Sequence, residues 1–469
     1  MEARPAPAPQ APPRRARRRP AARPAEGPRP VAYLALLAVA VTVAFGVRAV
    51  LAGGPDAASP RQEVRPASAS PAAVPAAAPA EPQGSPLLRA GRRGGAVADL
   101  QVALVALGYF PAHPDAVFGE TTGAAVSAFQ GAHGLAVDGV AGPETRAALL
   151  EALGARIAED AAVVSAAADA AGAAAPMRAA LDATTAASAR LSPGKAAVLA
   201  LVLDDVADAA PSAGEERLAA LAGLLEANAA GLEAGPLVLD SGGLADGTGA
   251  VYRFFADHGL QFHPLASFAR LNQLARDGRE QEVRRLAGAM VARGSRAGRT
   301  TVWEYGFPFG GPAPWTSGLA QAAGAQALAR AATLLSDPAL LEEAGRAFRA
   351  IPAGLSLPLG GAWIREYSFS DMAVLNAHLQ SILSLTEYAE LTGDEQARGF
   401  VARLTEAAGT LVGEFDTGCW SLYSHGGSPA SPAYHDYHVR LARRLARSEG
   451  GVWRETAARW DGYRRAGGC

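Results

Sequence analysis

Four short stretches of the chain gather side chains able to do chemistry. They are Trp303-Glu304-Tyr305-Gly306-Phe307-Pro308-Phe309, Gly360-Gly361-Ala362-Trp363-Ile364-Arg365-Glu366-Tyr367, Asp416 to His425, and Tyr434-His435-Asp436-Tyr437-His438. Aromatic rings with polar edges suit carbohydrate, because sugar faces stack on rings while hydroxyls meet Tyr, Asp and Glu. A single loop tyrosine usually caps a core with its ring and bonds its hydroxyl, but four such clusters in one region argue for a shared site. Several chemistries fit these residue types. Glu366 with Asp416 or Asp436 would make a glycosidase carboxylate pair. Deprotonation at C5 of a uronate with loss of the C4 substituent would make a lyase. His425, His435 and His438 would be the ligands of a metal hydrolase, but their spacing fits no familiar ligand motif.

The elements that must hold these loops are helical. Trp315 to Leu335 reads as a long amphipathic helix, followed by Ser336-Asp337-Pro338 and a second helix to about Ala350. Ser370 to Leu391 repeats the pattern, with Thr392-Gly393-Asp394 and a helix to about Val412. Such repeated hairpins with long connections predict an (α/α) toroid, incomplete or complete, whose loops collect at one mouth. Upstream, residues 154–235 are alanine-dominated and predict three or four helices, with starts at Ser192-Pro193 and Ser212. Composition agrees with a mainly α protein: 49% apolar residues and only 6% aromatic, in a chain of 469 that must divide into several parts. Two cysteines, Cys419 and Cys469, allow at most one bridge and no four-ligand zinc site.

The net charge of −2 conceals an asymmetry. Residues 1–30 hold eight arginines against Glu2 and Glu26, a basic arm of +6, which leaves −8 for the remainder. Beyond that arm nothing suggests nucleic acid. Residues 31–52 come next, uncharged from Val31 to Val47, and read as a transmembrane signal anchor at the lower limit of spanning length. A cleaved signal peptide ending at Val50-Leu51-Ala52 is the alternative, the long basic arm favouring the anchor. Both readings place the remainder of the chain outside the cytoplasm: on a bacterial cell membrane facing periplasm or wall, or secreted. Residues 53–86, rich in Pro, Ala and Ser, predict a semi-extended linker.

Residues 87–153 form a separate unit with apolar spacing at Val97, Leu100, Leu104 and Leu107. Its stretches Gly119 to Ala125 and Gly142 to Ala148 echo one another, each a turn glycine before a helix start. The order Gly91, Gly94, Val97, Leu100-Gln101, Leu107-Gly108-Tyr109, Phe118-Gly119, Thr122, Ala125-Val126, Phe129-Gln130, Asp138-Gly139 and Gly142-Pro143-Glu144-Thr145 resembles the three-helix peptidoglycan-binding domain family. The resemblance implies a binding module with peptidoglycan as partner and no catalysis. His113 and His133 read as solvated loop histidines, so no metal is expected there.

Residues 236–469 make the last domain, which from about Tyr252 to Tyr463, most strongly after Tyr305, resembles the C-terminal domain of the D-glucuronyl C5-epimerases. The resemblance rests on Tyr305-x-Phe307-x-Phe309, Pro314-Trp315-x-Ser317-x-x-Ala320-Gln321, Glu366-Tyr367, Val374-Leu375-Asn376 with Leu379-x-Ser381, Tyr388, Asp416-Thr417-Gly418 with Tyr423, Asp436-Tyr437-His438 and Arg459-Trp460-x-x-Tyr463. It implies conversion of D-glucuronate to L-iduronate in a heparosan-like polymer, with no cofactor. A base removes the C5 hydrogen, which lies α to the carboxylate, and a donor on the opposite face returns a proton. By this resemblance Glu366 and Tyr437 flank C5, with Tyr367 and Tyr423 hydrogen-bonding the substrate or its developing charge. Asn376 and His438 support or touch the substrate, Trp315 and Gln321 line the groove, and Tyr305 contributes to binding. Two departures bear on the substrate carboxylate. Gly426 stands where the family tends to have arginine, and Tyr434-His435 where it tends to have Arg-Trp. The cation must then come from Arg365, His425, His435 or Arg440; these altered positions, with the wall module, leave a non-catalytic glycan-binding wall protein as an alternative. Expected partners are a uronate polysaccharide, peptidoglycan and, through residues 31–52, a membrane, with homodimerisation left open.

Overall fold

The computed structural model describes residues 87–237, 243–255 and 257–469. The basic arm, the expected anchor and the linker lie outside the described residues. Among those described, no helix is long and apolar enough to cross a membrane.

The first unit is built from α1 (Gly95–Ala106), α2 (Glu120–Ala132) and the start of α3 (Pro143–Ala170). Its internal echo goes deeper than the glycine turns. The buried amide of Gln101 donates to Asp115 Oδ1, Val117 O and Thr122 Oγ1 and accepts from Asp115 N and Ala116 N. Gln130 repeats the arrangement with Asp138 Oδ1, Val140 O, Thr145 Oγ1, Asp138 N and Gly139 N. Each glutamine thus ties its helix to the turn that starts the next helix, with its polar atoms satisfied.

α3 runs on for 28 residues, straight through the domain boundary expected at 153. It joins α4 (Ala174–Ser188), α5 (Pro193–Ala209) and α6 (Glu215–Ala234) in an alanine-rich helical layer. The helix expected from Ser212 begins instead at Glu215; Ser212 closes a single 3₁₀ turn, and the acidic Glu215 and Glu216 occupy the first turn of α6. A short antiparallel sheet, β1 (Gly243–Ala245), β2 (Val251–Phe255) and β3 (Gly259–Phe262), leads into the C-terminal part.

That part contains four helical hairpins among the described residues. They pair α7 (Pro264–Arg276) with α8 (Glu280–Ala292), α9 (Gly318–Leu335) with α10 (Pro338–Gly354), α11 (Leu375–Thr392) with α12 (Glu395–Leu411), and α13 (Pro432–Ser448) with α14 (Gly451–Ala466). α9 packs against α7 and α11, and α11 against α13. α9 buries 14 of its 18 residues whereas α12 buries 5 of 17, so α7, α9, α11 and α13 form the inner layer. These four bend around one cleft, as an open helical toroid would. The inner helix α9 is therefore not amphipathic as expected: alanines and glycines let neighbours close on every side.

Strands β4 (Ser295–Ala297) and β5 (Thr300–Val302), β6 (Glu304–Tyr305) and β7 (Trp315–Thr316), and β8 (Ser356–Leu357) and β9 (Trp363–Ile364) pair in the connections. Trp315 thus belongs to a strand rather than to the helix, because Ser317 caps α9 by accepting from Ala320 N at 3.0 Å. Likewise Ser370 to Val374 precede α11 instead of opening it. Cys419 and Cys469 form a disulfide that fastens the end of the chain to the loop before α13.

Candidate active site

The inner helices begin at one mouth, and Glu366 lies there against the N-terminus of α9. Its carboxylate accepts from Ser317 Oγ at 3.1 Å and from Leu319 N at 3.3 Å. Close approach fixes this geometry: Gly318 N donates to Arg365 O at 3.1 Å, and a Cβ at Gly318 would collide with that carbonyl. From the other side, the fully buried His378 accepts from Ile364 N at 3.1 Å through Nδ1. Its Nε2 donates to Leu404 O at 3.0 Å, and its ring stacks on Trp363 at 3.7 Å. Burial lowers His378 to about 3, so it is a neutral peg that holds the strand leading into Glu366.

Glu366 itself is only 8% exposed. Burial raises its carboxyl to about 8, against the opposing hydrogen bonds of Ser317 and Leu319. Five phenols feel its charge: Tyr305, Tyr367, Tyr423, Tyr434 and Tyr437, each held above its ordinary value, chiefly by burial. Tyr367 and Tyr423 share a hydrogen bond of 3.3 Å, and Tyr423 meets Tyr434 edge-on at 5.0 Å. The Tyr437 hydroxyl donates to Gln380 Oε1 at 3.1 Å, with the Arg440 guanidinium 5.4 Å from the centre of its ring. The site is thus a carboxyl able to hold or release a proton near neutrality, with five protonated phenols within reach of its charge.

An aromatic wall adjoins it. Trp315 stacks on Tyr305 at 4.0 Å and lies 5.7 Å from Tyr367, with Phe309 and Phe369 alongside at 5.6 and 5.8 Å. Tyr305 lies buried against Trp315, with His263 edge-on at 5.3 Å, and the partly exposed rings are Phe309 and Phe369.

Other residues expected at the site are engaged elsewhere. Gln321 is buried and donates to Thr301 O and Ala347 O, so it stitches α9 to its neighbours rather than lining a groove. His438 is fully buried, and Ser421 Oγ bridges its Nδ1 and that of His435 at 2.8 Å each. His435 also bonds Trp460 O through Nε2, so its ring serves the α13–α14 hairpin and not a substrate anion. His425 pairs with Glu414 and Arg365 with Asp371, both towards solvent. Asn376 is 3% exposed, with Oδ1 unpaired. Asp416 is held by Arg459 and Trp460, and Asp436 faces Arg464. Tyr434 and Gln380 join the site without having been expected there from the sequence. Tyr434 carried a usable signal, since it stands three residues before Tyr437 on one helix face.

Residues 93–149 match the putative peptidoglycan binding domain family, and residues 297–462 match the D-glucuronyl C5-epimerase C-terminus family. The chain therefore joins a peptidoglycan-binding module to a carbohydrate-active domain, and Glu366 and all five phenols lie within the second match. No curated protein matches the chain. Among solved structures, a GH76 alpha-mannanase from Bacteroides thetaiotaomicron is 13% identical with a TM-score of 0.33, over 43% of this chain and 60% of that one. An endo-beta-1,4-glucanase from Acetobacter xylinum is 14% identical with a TM-score of 0.33, over 44% of this chain and 66% of that one. The chain spans less than two thirds of either, and no residue role carries across at this likeness.

Proposed function

We propose that this chain epimerises D-glucuronate to L-iduronate at C5 within a heparosan-like cell-envelope polysaccharide. The observation that carries the reading is the buried Glu366 carboxyl, set on Ser317 and Leu319 at the start of α9 beside the aromatic wall, with burial raising it to about 8. The C5 hydrogen is weakly acidic only because its carbanion is shared with the C6 carboxylate as an enolate. Removing it calls for a base protected from water and a donor waiting on the other face. Glu366 is partly ionised at mildly alkaline pH and suits the first task. Tyr437 keeps its proton across the working range and suits the second, with Gln380 fixing its hydroxyl. Tyr367 and Tyr423 share one hydrogen bond and so leave hydroxyl capacity for the enolate oxygen. Chain length is unchanged, since no glycosidic bond breaks. The disulfide supports an exported, oxidising location, and the N-terminal module would hold the enzyme against peptidoglycan.

The test is solvent exchange. The full chain, incubated with heparosan in D₂O, is expected to introduce deuterium at C5, read by NMR, and iduronate signals should grow. Glu366→Gln and Tyr437→Phe should each lose this while keeping the wild-type circular dichroism. No exchange on heparosan or related glucuronans would overturn the reading; unsaturated uronate ends would turn it into a lyase, and shortened chains into a hydrolase.

A further inference from the structure

A cleft opens between the four inner helices, walled by residues at helical spacing. They include Arg276 on α7, Gln326 and Arg330 on α9, Gln380 on α11, and Tyr437 and Arg444 on α13. Tyr437 and Gln380 sit in its upper part. Three arginines occupy a level about three turns from the helix starts. Its cavity of about 60 Å³ admits a small anionic group or a few waters, less than a sugar ring needs.

Two of the three arginines are engaged. Arg330 is neutralised by Glu387, which also accepts from Gln326 at 2.8 Å, and Arg330 further donates to Asn272. Arg276 has Gln273 within 3.0 Å, and Asp277 lies near it. Arg444 makes no hydrogen bond or ion pair with any described residue, although the fields of Glu387, Arg330, Arg447 and Tyr437 all reach it. Its charge is the strongest electrostatic influence on the Tyr437 phenol. That agrees with its position seven residues on, since helical side chains lean back over the preceding turn. Of the cations expected from the sequence, Arg365 pairs with Asp371, His425 with Glu414 and His435 with Ser421 and Trp460, while Arg440 lies over the Tyr437 ring at 5.4 Å and does not line the cleft.

We propose that this cleft is an anion subsite and that Arg444 is the cation that receives a uronate carboxylate beside Tyr437. The proposal deepens the epimerase reading and rests on it for the identity of the anion. Arg444 then does, from within α13, what an arginine at the position of Gly426 would do from the loop. It holds the carboxylate into which the C5 electrons delocalise, and it opposes the field of Glu366 at the Tyr437 hydroxyl.

Binding, and not turnover, tests it. Sodium glucuronate, inorganic sulfate and neutral methyl glucoside are titrated calorimetrically into the full chain and into Arg444→Gln, Arg444→Lys and Arg447→Gln. Glucuronate affinity should fall at least tenfold in Arg444→Gln, recover in part in Arg444→Lys and stay unchanged in Arg447→Gln. Sulfate, as an oxyanion without a sugar, should compete with glucuronate in the wild type and lose affinity with it in Arg444→Gln. Unchanged glucuronate affinity in Arg444→Gln, or an equal loss for methyl glucoside, overturns the proposal. Should Arg444→Gln melt early without ligand, wild-type binding decides: affinity for glucuronate must weaken as sodium chloride is raised, and independence from salt overturns it. A chain that binds through Arg444 but exchanges no deuterium would retain the subsite and lose the epimerase reading.

Discussion

Two of the places that bury polar side chains do so to opposite effect. In the N-terminal module, Gln101 and Gln130 are sealed in with every amide atom bonded, each holding a turn in one conformation. At the mouth of the C-terminal helices, Glu366 is sealed in with donors from Ser317 and Leu319, yet burial still keeps it protonated up to about 8. A satisfied neutral amide stabilises the fold and does nothing else. A buried carboxyl carries a penalty whenever it ionises, and that penalty makes it a proton carrier near neutrality.

The sharpest way to separate the two is to make each isosteric change and measure both stability and turnover. Glu366→Gln should lower C5 exchange by about a thousandfold, with little or no loss of unfolding free energy in urea. Gln101→Leu should do the reverse: it leaves Asp115 N and Ala116 N without their acceptor and should cost the module about 3 kcal/mol, read by urea midpoint, with exchange at C5 unaffected. Equal effects of the two changes on stability would erase the contrast.

Acidity gives a finer cut. Because the folded-state pKa of Glu366 is raised, folding takes up a proton. Its contribution is fully favourable below the ordinary carboxyl value of 4.5 and is lost as pH rises towards about 8. Between those limits wild-type stability should fall relative to Glu366→Gln by up to about 1.4 kcal/mol per pH unit, measured by denaturant titration across pH 4 to 9. A flat difference would place the carboxyl at an ordinary value. The smallest effect is expected at Tyr423→Phe, which removes the 3.3 Å bond to Tyr367 and should cost about 1 kcal/mol of stability, with turnover reduced but not abolished.

Much of this was legible in the residues. Ser192-Pro193 marks a helix start, the Gly119 and Gly142 turns announce a duplicated motif, and Glu366-Tyr367, Tyr423 and Tyr437 stand out as chemistry in loops or at a helix start. Other features were hidden by their nature. His378 resembles any mid-helix histidine until Trp363, Ile364 and Leu404 are found around it. Gln321 and His438 belong to the same motifs as the site residues, but their side chains turn into the packing between helices. Arg444 is exposed like its neighbours Arg440, Arg443 and Arg447, and only its place on the cleft wall distinguishes it.

The sequence alone determined the order of the parts, the helical bias and the residue types brought to the mouth, because turn glycines, caps and apolar spacing act within a few residues of themselves. The tertiary structure decided that Glu366 is buried at the mouth, which phenols share its field and that Arg444 on the cleft wall meets no described partner. Those properties depend on solvent exclusion and on charges far away along the chain, and no local pattern encodes them.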